Sequence, residues 1–292
     1  MKNIPFLSLF FTLSAAGIFA QQTSNDLSKD KQIVGQYFIY LITIQEDSAF
    51  YNYSPNELMI KTALFLLNTP YAAQTLDVNE NEDLVINLRE LDCMTFVENC
   101  LALSRAAQYS QSDYDYFVRQ LKYIRYRGGI MNGYTSRLHY TTDWITDNVN
   151  KATIEDITYA LGGKRFRPLV EFMSSHPDLY PGLRENRQEI EAVISIENTI
   201  NQRTTYYYIP QNEIKEKQSL IKNGDIICFT TSLSGLDISH LGIAYWNKGQ
   251  LSFIHASTKY KKIIINPESL SDYCGMIKTN TGIIVLRALP AN

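Results

Sequence analysis

An α+β fold, with helices leading and an antiparallel sheet closing the chain, is predicted by two features of the sequence. Before residue 206 apolar side chains recur mainly at helical spacing, and from there onward the pattern changes to short β-type runs separated by turn residues. A third feature places chemistry on that frame. Cys93 opens one of the helical runs, and His240 and His255 lie on neighbouring β-type runs, fifteen residues apart.

Helical spacing first covers 33–45 and 54–67; Ser54 supplies a cap for the second run, Pro55 sits in its first turn, and Asn68-Thr69-Pro70 ends it. The segment 76–90 is mixed, with Leu84-Val85-Ile86 its one strand-like run. The next helix, 93–108, puts Phe96, Val97, Cys100, Leu103 and Ala107 on one stripe, and Asp92 is its natural cap. Between 109 and 205, helical patches at 114–124, 168–173 and 188–200 alternate with aromatic and polar loops at 123–129 and 137–144. This stretch reads as a largely helical insertion with its own surface. Strands are expected at 206–209, 225–229, 241–246, 251–255, 262–265 and 283–287. No internal repeat or low-complexity tract interrupts the pattern.

At 292 residues the chain can bury a substantial core, so one domain over 21–292, carrying the insertion at about 109–205, is expected rather than two equal units. A formal net charge of −3 leaves no basic footprint for nucleic acid. The aromatic share of 12%, with 20 tyrosines, favours a surface that stacks on sugars or peptides. Met1-Lys2-Asn3, an apolar stretch over 4–19 and Ala20 before polar Gln21-Gln22 read as a signal peptide over 1–20. The mature protein is therefore expected to be exported, periplasmic or extracellular, and monomeric. No cysteine follows the apolar run to take a lipid, and nothing downstream reaches the roughly 18 apolar residues of a membrane helix.

Four cysteines in an exported chain allow disulfides, but if Cys93 is a working thiol at most one bridge remains. Cys100, two turns along the same helix face, and Cys228, inside an apolar run, read as buried thiols. Cys274 carries no signal. A free thiol titrates near about 8.5, and backbone amides at a helix start or a nearby imidazolium stabilise its thiolate. The same amides can hold the oxyanion of a tetrahedral intermediate. Imidazole suits the base, its proton affinity lying near neutral pH, and whichever histidine does not face the sulfur can orient the other. Two histidines and a thiolate can also hold zinc, but the usual closely spaced ligand pairs are absent. No cofactor is expected.

The motifs Thr69-Pro70-Tyr71, Leu91-Asp92-Cys93-Met94-Thr95-Phe96-Val97-Glu98, Asn223-Gly224-Asp225-Ile226-Ile227, Ser239-His240-Leu241-Gly242-Ile243-Ala244 and Phe253-Ile254-His255-Ala256 occur in that order. Together they resemble the signatures of NlpC-type papain-like cell-wall cysteine hydrolases. With Arg137-Leu138-His139-Tyr140 and Asp143-Trp144 added, the chain is similar to the N-acetylmuramoyl-L-alanine amidase-like branch.

The resemblance implies a papain-like fold and makes Cys93 the nucleophile, His240 the general base and His255 the group that orients it. Tyr71 matches a tyrosine close to the nucleophile, and Asp92 an acidic residue that positions the peptide stem, beside its plain role as a cap. Asp237 and Ser239 flank the base strand and line the cleft or serve the turn. His139 and Trp144 lie in the long stretch that departs from the compact NlpC pattern; they meet sugar or peptide, or Trp144 anchors the stretch to the core. The implied partners are peptidoglycan fragments (muropeptides), and the implied bond joins the muramic acid lactyl group to L-alanine. Cleavage between D-glutamate and a diamino acid, and peptidoglycan binding without catalysis, are the alternatives.

Overall fold

Asp92 and Thr95 cap each other at the start of a helix that packs on the sheet, and the rest of the chain is arranged around this contact. The computed structural model describes residues 24–44, 53–77, 81–109 and 113–291; the expected signal peptide lies outside them. The leading helices are α1 (Ser24–Thr43), α2 (Pro55–Phe65), α3 (Cys93–Ala106), α4 (Tyr114–Arg125) and α5 (Thr141–Asn150). Two short strands follow, β1 (Ile154–Asp156) and β2 (Lys164–Arg165), then α6 (Phe172–Ser175) and α7 (Arg187–Gln202). The closing part holds β3 (Tyr207–Pro210), α8 (Ile214–Lys217), β4 (Ile226–Thr231), β5 (Ile238–Asn247), β6 (Gln250–Ser257), β7 (Lys262–Ile265), α9 (Leu270–Met276) and β8 (Asn280–Ala288).

The fold is mixed, with one antiparallel sheet in the order β2-β3-β8-β4-β5-β6-β7, and β1 also pairs with β8. Strand β4 is central and buried along its whole length, in keeping with its apolar run Ile226-Ile227-Cys228-Phe229. Its residues alternate between two cores. Ile226 and Cys228 join Leu241 and Ile243 against Leu58, Phe96 and Val97 of the helices, whereas Ile227 and Phe229 join Phe253 and Leu270 on the other face. Asp225 secures the entry to β4. Its carboxylate accepts a two-point contact from Arg287 of β8, 2.8 Å at each oxygen, and a bond from Asn56 Nδ2 of α2 at 2.6 Å. Gly224 has φ of +87°, and a Cβ there would lie 2.1 Å from the Asn56 carbonyl oxygen, so only glycine fits this turn.

Strands β1 and β2 and helix α8 were not expected, α1 begins ahead of the expected residue 33, and three further differences bear on the site. Residues 84–86 form no strand: the Val85 carbonyl is taken by Arg125 Nη1 at 2.6 Å, and Arg125 also pairs with buried Glu98 at 2.7 Å. Residues 141–150, which the aromatic and polar spacing placed partly in a loop, form α5. Its first turn is capped from the residue just before β5, since Asp237 accepts from Thr142 N at 2.7 Å and Thr142 Oγ1 at 2.8 Å. Helix α9, over residues left unassigned, is capped by Ser269.

Within 109–205, α4 packs on α3, and Trp144 of α5 lies fully buried in the main core. Further along, Tyr134, Tyr140, Val170, Met173, Leu183, Val193, Ile200 and Tyr206 gather a small core of their own. No helix among the described residues is long and apolar enough to cross a membrane.

Candidate active site

Cys93 is placed by the box that precedes it. Asp92 accepts from Thr95 N at 2.8 Å and Thr95 Oγ1 at 2.7 Å, and its own amide donates back to Thr95 Oγ1 at 2.9 Å. Such a cap contributes about 1 kcal/mol and holds Cys93 at the first helical position. The sulfur is half-buried and unbridged. Burial first, and the Asp92 charge second, push its thiol up to about 12, against the opposing pull of the Leu241, Cys93 and Met94 amides. The helix-start amides expected to favour the thiolate do pull in that direction, but desolvation and one adjacent carboxylate pull harder the other way.

Tyr71 reaches the same place by backbone pairing. Its amide donates to the Lys261 carbonyl at 3.0 Å, Leu91 N donates to the Pro70 carbonyl at 2.9 Å, and Ile263 N donates to the Thr69 carbonyl at 2.8 Å. Thr69-Pro70-Tyr71 thus runs between β7 and the residue preceding Asp92. Burial pushes the Tyr71 phenol up to about 12, and the charges of Cys93 and Asp92 add to the shift, which sets all three side chains in one electrostatic neighbourhood.

The two histidines stand on β5 and β6, with His240 Nε2 2.7 Å from His255 Nδ1 and the rings nearly perpendicular. Phe229 stacks at 6.1 Å from the His240 ring and Phe253 at 4.6 Å from that of His255, so apolar surface encloses both. Gly242 keeps this region close-packed: a Cβ there would meet Phe253 Cδ2 at 2.6 Å and His255 Cβ at 3.3 Å. Burial pushes His240 down to about 4; burial and then His240 push His255 down to about 2.

Tyr273 of α9, which carried no signal in the sequence, connects the halves of the site. Its ring lies 6.2 Å from that of His240 and 5.8 Å from that of His255, and its phenol is pushed up by burial and then by Cys93. Thiol, imidazole pair and two phenols therefore share one locus. The Leu241 amide, one residue after His240, acts directly on the sulfur.

The remaining sequence candidates stand apart from these contacts. Asp237 is buried, accepts from Thr142 and also from Ile238 N at 2.8 Å, and so ties α5 to the base strand. Ser239 donates to Asn280 Oδ1 at 2.8 Å. The His139 ring lies 4.5 Å from that of Tyr134 and its Nε2 is 2.9 Å from the Tyr134 carbonyl; burial and then Arg137 push it down to about 3. Trp144 has no exposed face on which a sugar could stack, and it anchors α5 to the core. Among the described residues, no group of three His, Cys, Asp or Glu side chains is placed to hold a metal ion.

A family model described as N-acetylmuramoyl-L-alanine amidase-like matches residues 61–283. The chain belongs to that family. A crystal structure of an N-acetylmuramoyl-L-alanine amidase from Bacteroides uniformis ATCC 8492 is 36% identical to this amidase-like chain, with a TM-score of 0.77 over 80% of this chain and 99% of the other. A Bacteroides fragilis protein named as a xylanase is 40% identical, with a TM-score of 0.75 over 78% of this chain and 99% of that one. A protein from Legionella pneumophila str. Philadelphia 1, 22% identical, shares the fold at a TM-score of 0.70 over 91% of this chain and 97% of its own. No curated protein matches the amidase-like chain.

Two predictions follow from the electrostatics. Asp92→Asn keeps a good helix cap but removes the charge beside the sulfur, so alkylation of Cys93 by iodoacetamide at pH 7.5 is expected to accelerate about tenfold, the equivalent of one pKa unit. An unchanged rate would remove Asp92 from the electrostatics of the thiol. Acid should also destabilise the fold. His240 and His255 hold folded values below the ordinary 6.5, so the stability they contribute is complete above that pH and is lost as pH falls towards those values. Between pH 7 and pH 5 the loss is about 2 kcal/mol for each buried imidazole. Urea unfolding at the two pH values measures it, and coincident midpoints would contradict it.

Proposed function

We propose that the protein is an exported cysteine amidase with a papain-like catalytic domain over 21–292, hydrolysing the bond between N-acetylmuramic acid and L-alanine in peptidoglycan or muropeptides. The observation that carries the reading is the hydrogen-bonded His240–His255 pair beside Tyr273, whose phenol also lies within the electrostatic reach of a cysteine at a helix start. Membership of the amidase-like family supports the substrate, the leader-like residues 1–20 support export, and the segment 109–205 acts as an insertion beside the cleft.

Cys93 Sγ attacks the lactyl carbonyl carbon while its proton passes to His240, neutral at working pH. Amides at the start of α3 hold the oxyanion. As the C–N bond breaks, His240 returns the proton to the departing L-alanine amine, leaving a thioester on Cys93. Water, deprotonated by His240, attacks the thioester, releasing the lactyl carboxylate and the thiol. His255 holds the imidazole, and Tyr71 donates to the substrate or oxyanion. Asp92 meets the peptide stem, while Ser239, Asp237 and His139 support the cleft walls. Glycoside hydrolysis uses two carboxylates flanking the bond, whereas the groups gathered at Cys93 are one carboxylate, two phenols and two imidazoles.

Incubation with defined muropeptides followed by mass analysis tests the reading. The expected products are the muramic acid sugar with a free lactyl carboxylate and a stem peptide with a free L-alanine amine. Masses showing scission between D-glutamate and the diamino acid would replace the bond, and binding without any product would replace the enzyme.

A further inference from the structure

Asn266, just beyond β7, is held on three sides. Its amide donates to the Phe253 carbonyl at 2.9 Å, its carbonyl accepts from Ser252 Oγ at 2.6 Å, and its side-chain Nδ2 donates to the Glu268 carbonyl at 3.0 Å. Ser252 Oγ also reaches the Glu268 carbonyl at 3.0 Å, which closes the clasp. The side chain is almost fully buried. Only a nitrogen can face a carbonyl oxygen, so the chemistry fixes the orientation of this amide and leaves Oδ1 to seek a donor.

A donor site of the right kind stands unmatched beside it. His255 Nε2 is buried and meets no partner at full hydrogen-bond geometry, while the Asn266 side chain acts on that ring in the sense of an acceptor, favouring its proton. A buried ring nitrogen left without a partner is unfavourable, and a hydrogen bond to Asn266 relieves it.

We propose that Asn266 is a positioning residue that sets the tautomers of both histidines: its Oδ1 takes the Nε2 proton of His255, so that His255 Nδ1 accepts from His240 Nε2–H. The free lone pair of His240 then lies on Nδ1, the nitrogen that does not face His255. The inference rests on the reading of Cys93, His240 and His255 as one catalytic set, and it makes the third position an imidazole whose own proton is dictated from behind. A protein acceptor is required because His255, unlike a carboxylate, can bind the base in either of two protonation patterns, of which one leaves His240 with its lone pair turned away from the sulfur.

Long-range proton–nitrogen correlation spectra of the full chain, labelled with 15N at histidine, read the tautomers directly at pH 7. Expected in the native protein are pyrrole-type signals for Nε2 and pyridine-type signals for Nδ1 of both His240 and His255. Asn266→Leu should move the His255 proton to Nδ1 and lower kcat about 10- to 100-fold with KM little changed, whereas Asn266→Asp, which keeps an acceptor, should retain the native pattern. A native spectrum with His255 protonated on Nδ1 overturns the proposal, as does an Asn266→Leu spectrum identical to the native one. Should Asn266→Leu not fold, the native and Asn266→Asp spectra decide alone. The expected tautomers in a protein that cleaves no muropeptide would leave this inference standing and sink the proposed function instead.

Discussion

Cys93→Ala is expected to abolish amide hydrolysis, by more than about 10⁴-fold, while leaving fold and muropeptide binding intact. The separation of the two effects follows from where the sulfur sits. Asp92 and Thr95 cap α3 through each other without using the Cys93 side chain, and alanine is a better helix former than cysteine. The sulfur is half-buried rather than wedged into the main core, so its loss opens no large cavity. Product masses together with a thermal melt and equilibrium binding of a muropeptide make the measurement. Full turnover by the variant would end the nucleophile assignment; loss of binding together with loss of turnover would show that the residue shapes the site rather than reacts in it.

His240→Ala is expected to lower kcat/KM by about two to four powers of ten, the usual contribution of a positioned general base. Because burial pushes His240 down to about 4, the imidazole is already neutral through the physiological range, and the native rate should fall only as pH drops towards that value and protonates the base. The variant should lose that acid limb along with its rate. The contact at 2.7 Å makes the two rings interdependent, so His255→Ala should cost less than His240→Ala, yet something. A native acid limb unchanged in His240→Ala would mean that a different group governs the proton.

Much of the frame was legible in the sequence because its signals are local. Asp92 before an apolar stripe announces α3, Ser54-Pro55 announces α2, and the apolar runs at β4 to β8 announce a sheet, each by rules that operate within a few residues. Misses arose where a distant group supplied the stabilisation. The carboxylate that caps α5 comes from Asp237, 95 residues away, and the guanidinium that claims the Val85 carbonyl comes from Arg125, 40 residues away. The opposite sign of the Cys93 shift has the same origin, since helix-start amides can be read from order alone but desolvation cannot.

The sequence by itself determined which chemical groups are available: a capped cysteine, two strand histidines and the turn motifs that place each at the end of an element. Only the tertiary structure decided how they meet, because proximity across a sheet depends on register and side-chain face rather than on spacing. It set the His240–His255 contact, brought Tyr273 beside that pair, withdrew Trp144 into the core, and brought the Asn266 side chain to the His255 ring. Burial, a property of the whole packed chain, then pushes the Cys93 thiol up and both imidazoles down.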